Sequence, residues 1–114
     1  MYPKIDIYFV NSDLSDKASK TWVLAGISDI DSVTIPNNAN EVLLEYIGVK
    51  SGYTYHVSSH LSADLLARYS AKIDYAGSNQ TQATANIINR VVSMTSFTIE
   101  GSPADSRALF VYYR

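Results

Sequence analysis

Apolar and polar residues alternate with a period of two along most of this chain, and turn signals cut the alternation into short pieces. That pattern constrains the fold more than any other feature, because side chains two apart share one face of a strand. Residues 4–10 place Ile5, Ile7 and Phe9 on one face, and the polar stretch 11–20 reads as a loop. Residues 21–25 carry Trp22 and Leu24 together, and 32–35 form a short strand stopped at Pro36-Asn37-Asn38. Residues 41–49 are apolar on both faces, with Val42, Leu44 and Tyr46 opposing Leu43, Ile47 and Val49, as expected of a strand buried on both sides.

Ser51-Gly52 turns the chain into a strand at 53–59. Residues 68–76 alternate again, setting Tyr69, Ala71, Ile73 and Tyr75 against Arg68, Ser70, Lys72 and Asp74. Gly77-Ser78-Asn79 is a turn, strands at 82–88 and 91–100 flank Asn89-Arg90, and 101–106 reads as a loop. Residues 107–113 close the chain, with Ala108, Phe110 and Tyr112 opposing Leu109, Val111 and Tyr113. One stretch departs from the period. In LSADLLARY, Leu61, Leu65 and Tyr69 recur at helical spacing behind Ser62, an N-cap candidate, so one short helix near residues 62–68 is compatible with the pattern.

Eight or nine short strands with no internal repeat or linker predict one all-β domain over residues 1–114. The expected architecture is an antiparallel β-sandwich, jelly-roll-like in connection. The surface chemistry agrees: 31 Ser, Thr, Asn and Gln residues outnumber 20 charged ones, and short neutral polar groups favour sheets and turns over helix surfaces.

Composition also excludes function classes. Cysteine is absent, which removes disulfides, thiolate catalysis and thiolate-bound zinc. A net charge of −2, spread without runs, offers no basic patch for nucleic acid. The first ten residues, MYPKIDIYFV, alternate and lack a cationic flank, so they read as a strand and not a signal peptide. No apolar run approaches the ~20 residues that span a bilayer, and no membrane insertion is expected.

The two histidines, His56 and His60, lie four apart. On a helix that spacing would chelate a metal. On a strand it separates them by about 13 Å, at ~3.3 Å per residue, too far for one ion with bonds of ~2.1 Å. They read as surface or loop residues, although a symmetry axis through an oligomer would be able to gather copies of one of them. No Gly-x-Ser-x-Gly elbow is present, and nothing pairs a serine with a base, so no catalytic residue, metal ligand or cofactor is assigned and no enzyme is expected. Asn79-Gln80-Thr81 has the form of a glycosylation sequon and reads as a turn. Tyr53, Tyr55 and Tyr75 are candidates for a sugar-stacking platform, because an aromatic ring offers a flat apolar face with a polar tip. Alternating aromatics in strands more commonly pack a core, and both readings stay open here.

The run from Ala67 to Arg114 resembles the ends of tail-fibre and minor structural proteins of tailed phages and prophages. It has a strand from Arg68 to Tyr75, a Gly/Ser/Asn turn, the strand ATANI, the segment MTSFTIEG, a polar loop and a terminal Tyr-Tyr-Arg. Upstream, Trp22 and IPNNANEVLLEY fit the same arrangement, so the likeness covers about two-thirds of the chain. The resemblance implies a small trimeric β-sandwich at a virion surface, made in the host cytoplasm, and it carries over no functional residue. The expected role is a non-enzymatic tail-fibre or receptor-binding module, homotrimeric, contacting a host-surface glycan with Tyr53 and Tyr55 as the named candidates. The alternatives are a structural head-decoration or fibre-assembly domain meeting other virion proteins, and a free carbohydrate-binding module.

Overall fold

A computed structural model describes residues 21–29, 31–68 and 70–114; the strand expected at 4–10, the loop at 11–20 and the position of Tyr69 lie outside the described residues. These residues form nine strands and one helix in two antiparallel sheets, the all-β sandwich that the alternation predicts. The strands are β1 (Val23–Ser28), β2 (Val33–Thr34), β3 (Glu41–Lys50), β4 (Tyr53–Ser62), β5 (Lys72–Gly77), β6 (Thr81–Ile88), β7 (Val91–Ile99), β8 (Ser102–Pro103) and β9 (Ser106–Tyr113). Helix α1 (Ala63–Arg68) joins β4 to β5.

One sheet has the order β1-β9-β3-β4, and the other has β2-β7-β6-β5 with β8 also paired to β7. As in a jelly roll, β1 and β2 open opposite sheets and the last strand returns between β1 and β3. The β3–β4 hairpin and the β5-β6-β7 meander each stay within one sheet, which sets this topology apart in detail.

Turn chemistry fixes the hairpins. The loops Ser51-Gly52, Asn89-Arg90 and Glu100-Gly101 have positive φ at both central residues, as type I′ turns require. Their twist matches that of the flanking strands, which is why two residues suffice for each reversal. Arg90 holds this conformation without being glycine. Its carbonyl accepts from Ile35 N at 2.8 Å, and its guanidinium donates to the Pro36 carbonyl at 3.0 Å. The segment expected as a loop at 101–106 includes β8, which Glu100-Gly101 folds back on β7.

Helix α1 starts where its cap predicts. Ser62 Oγ accepts from Asp64 N at 3.2 Å, and Arg68 pairs with Asp64 one turn earlier. Ala63 and Leu66 are buried, so the helix closes one end of the sandwich. It also shortens the strand expected at 68–76 to Lys72–Gly77.

The core lies between the sheets. Val42, Leu44 and Tyr46 from β3 and Leu109 and Val111 from β9 meet Ile87 of β6 and Val92 and Phe97 of β7. Only one face of β3 is fully buried, which corrects the expectation for 41–49. Leu43, Ile47 and Val49 are half-buried, because among the described residues no third layer covers that face. Gly48 sits opposite Phe97 across the sandwich, and a Cβ there would lie 2.6 Å from the ring. The two sheets approach this closely because residue 48 has no side chain. Replacing Gly48 with Ala is therefore expected to displace Phe97 and lower stability by about 1–3 kcal/mol, measured by chemical denaturation.

Candidate functional site

Two buried polar groups tie the sheets together, and one of them controls what the surface presents. Ser28 at the end of β1 donates to the Asp31 carbonyl at 2.7 Å and accepts from Met94 N of β7 at 3.0 Å. On the opposite side, Asp74 of β5 points inward and is 3% exposed. Tyr46 Oη donates to it at 2.6 Å, Ser59 Oγ donates at 2.9 Å, and Lys72 Nζ lies 3.6 Å away. Burial and the neighbouring Asp74 carboxylate raise the Tyr46 hydroxyl's pKa well above its usual value. Strand β5 is thus inverted relative to its hydropathy: the carboxylate faces the core while Ile73 and Tyr75 face solvent.

Tyr75 is 74% exposed and Ile73 53% exposed. Tyr75 lines an open cleft of about 350 Å³ with Ala76, Gly77, Ser78, Asn79 and Gln82. Tyr53 and Tyr55 lie together elsewhere, in a cleft of about 280 Å³ with Lys50, Ser51, Ile99, Glu100 and Ser102. The structure therefore joins two members of the expected tyrosine platform and assigns the third to its own recess.

The Tyr53–Tyr55 cleft is built from two type I′ turns. Ser51-Gly52 and Glu100-Gly101 both reverse the chain at this end of the sandwich, and Asp105 braces the first. Asp105 Oδ2 accepts from Ser51 N at 3.0 Å, and its own N–H donates to the Val49 carbonyl at 2.7 Å. Tyr53 stands 70% exposed, whereas Tyr55 is half-buried and packs against the core. One ring is available as a contact face and the other supports its base. The polar lining residues were not legible from alternation, since they converge only when the β3–β4 and β7–β8 turns meet.

The histidines occupy the outer face of the four-stranded sheet, both pointing outward from β4. His56 Nε2 lies 2.9 Å from Glu45 Oε2, and His60 Nε2 lies 2.8 Å from Glu41 Oε1. These partners were missed, although the signal is present: Glu41/Glu45 and His56/His60 have the same spacing on either side of the Ser51-Gly52 turn. Glu45 also accepts from Ser58 Oγ. This places a carboxylate between serine and imidazole, so the imidazole does not touch the serine hydroxyl as it does in a Ser-His nucleophile pair.

Glu41 is further clamped by Arg114, whose Nε donates at 3.0 Å. That guanidinium holds the Glu41 carboxyl below its usual range against the opposing effect of burial, with His60 adding to the shift. Arg114 also lies 4.1 Å from the ring centroid of Trp22, which meets His60 edge-on at 5.6 Å. The terminal Tyr-Tyr-Arg motif thus acts structurally, fastening β9 to β3 and Trp22. Among the described residues, no group of three or more His, Asp or Glu side chains is placed to hold a metal ion, and no helix is long and apolar enough to cross a membrane. Comparison of the chain with protein-family models, curated proteins and solved structures finds no match.

The buried Tyr46–Asp74 bond yields a prediction with a pH signature. Tyr46→Phe leaves Asp74 short of one donor and is expected to cost about 1–3 kcal/mol at neutral pH. The folded-state pKa of Tyr46 is raised, so its stabilisation is complete below the unfolded value near ~10 and declines as pH rises beyond it. Denaturation at increasing alkaline pH should narrow the gap between wild type and Tyr46→Phe by about 1.4 kcal/mol per pH unit. A constant gap would show that this hydroxyl does not carry the linkage.

Proposed function

We propose that this domain is a non-enzymatic module of a tailed-phage or prophage particle surface, contacting a host-surface glycan through the cleft at Tyr53 and Tyr55. The observation that carries the reading is the exposure of Tyr53 at a rim it shares with hydroxyl groups of Ser51 and Ser102. An exposed aromatic ring matches the apolar C–H face of a sugar, and adjacent hydroxyls match its polar edge. The resemblance of residues 67–114 to fibre ends supports the virion setting. A homotrimer would repeat the cleft, and avidity would then compensate for weak single contacts.

A rival role in subunit assembly draws on β1. It is an edge strand of its sheet among the described residues, and it exposes Val23 and Ile27. A multivalent display of the domain on a glycan array separates the two. Binding that Tyr53→Ala weakens about tenfold, with the melting temperature unchanged, supports glycan contact. Absence of any glycan signal, together with a concentration-dependent oligomer broken by Ile27→Glu, favours assembly.

A further inference from the structure

Outward residues of the five-stranded sheet follow from its register. They are Ile73, Tyr75 and Gly77 on β5; Gln82, Thr84, Asn86 and Ile88 on β6; Val91, Ser93, Thr95, Ser96 and Thr98 on β7; Thr34 on β2; and Pro103 on β8. None carries a formal charge. The opposite sheet's outer face, by contrast, holds Glu41, Glu45, His56 and His60. Lys72 turns inward to Asp74, and Arg107 reaches only the Thr95 carbonyl at 3.2 Å.

At one end of this uncharged face, Tyr75 stands over the recess formed with Gly77, Ser78, Asn79 and Gln82. The loop beneath it is preorganised. Ser78 N donates to the Thr81 carbonyl at 2.7 Å, and Ser78 Oγ accepts from Gln80 N and Thr81 N at 3.3 and 3.4 Å. Gly77, at φ +106°, has no room for a Cβ, which would lie 1.9 Å from the Thr81 carbonyl oxygen. Glu100 N donates to the Gln80 carbonyl at 2.5 Å, so this loop joins the β7–β8 turn that borders the Tyr53–Tyr55 cleft.

We infer that Tyr75, Asn79 and Gln82 form a second carbohydrate subsite, and that its ligand is a neutral glycan. The inference rests on the glycan-contact reading of the Tyr53 cleft and adds both a site and a substrate class to it. The ring supplies an apolar platform. Each amide offers both a donor and an acceptor, matching vicinal sugar hydroxyls, which themselves donate and accept. Among the described residues, the strands of this face present no outward cation to offset an anionic ligand's loss of hydration. Thr84, Asn86, Ser93, Thr95, Ser96 and Thr98 make the middle of the face polar, with Ile73 and Tyr75 on its β5 edge and the Ile88–Val91 pair at the far end. Both subsites open at the same end of the sandwich, so one branched or extended glycan is able to engage them together.

Titration of the isotope-labelled domain with cellohexaose, maltohexaose and chitohexaose, followed by amide NMR, tests the inference; a hyaluronan hexasaccharide serves as the anionic comparison. At least one neutral probe should shift the resonances of Tyr75, Asn79 and Gln82, including the side-chain amides, with an affinity unaffected by added salt. Tyr75→Ala should weaken this binding about tenfold while leaving the β-sheet spectrum intact. Shifts confined to Tyr53, Tyr55, Ser51 and Ser102 would preserve the glycan reading and overturn this subsite. Silence at both clefts with every probe would overturn both proposals. Response to the anionic probe alone would also overturn it, as would a sedimenting oligomer that Tyr75→Ala dissolves.

Discussion

The hydrogen bond from Tyr46 to Asp74 joins the sheets from within and decides the orientation of β5. A carboxylate between packed sheets is tolerable only if its lone pairs are engaged, because leaving it unpaired costs several kcal/mol. Tyr46, Ser59 and Lys72 engage it, and two of these come from the opposing sheet. Once Asp74 is fixed inward, the period of the strand forces Ile73 and Tyr75 outward, whatever their own hydrophobicity. The aromatic surface at Tyr75 is therefore a consequence of a polar contact in the interior.

The same contact protects the fold. Strand β5 is an edge of its sheet among the described residues, and an inward-pointing charge on an edge strand discourages unregulated pairing with another chain. Strand β4, the facing edge among the described strands, contributes Ser59 to the carboxylate, so the strands on this side are coupled through one buried group. Across the sandwich, Ser28 plays a smaller version of the part, joining β1 to β7 through its hydroxyl. Between these ties the close approach of Gly48 to Phe97 sets the sheet separation.

Much of this was legible from local pattern. Alternation located the strands, Ser51-Gly52 and Asn89-Arg90 located two type I′ reversals, and Ser62 located the start of α1. These succeed because strand period, turn conformation and capping are properties of a few adjacent residues. Hydropathy and burial part company at two strands. In β3 an apolar outer face stays half-buried, with no covering layer among the described residues, and in β5 an aspartate takes the core position. Neither outcome is visible without the partner strand, since a polar residue's burial depends on who donates to it.

The candidate sites divide in the same way. The sequence by itself determined that this is a cysteine-free β domain with a neutral polar surface, and that His56 and His60, on a strand, stand too far apart to share an ion. It also singled out Tyr53, Tyr55 and Tyr75 as aromatics that needed an assignment. Only the tertiary structure decided that Tyr55 braces the core, that Tyr53 is exposed beside it, and that Tyr75 belongs to a separate, uncharged recess. The physical reason is that strand periodicity gives which side chains share a face, whereas the choice of the inner face is made by long-range contacts. Here that choice falls to a tyrosine 28 residues away from the aspartate it holds.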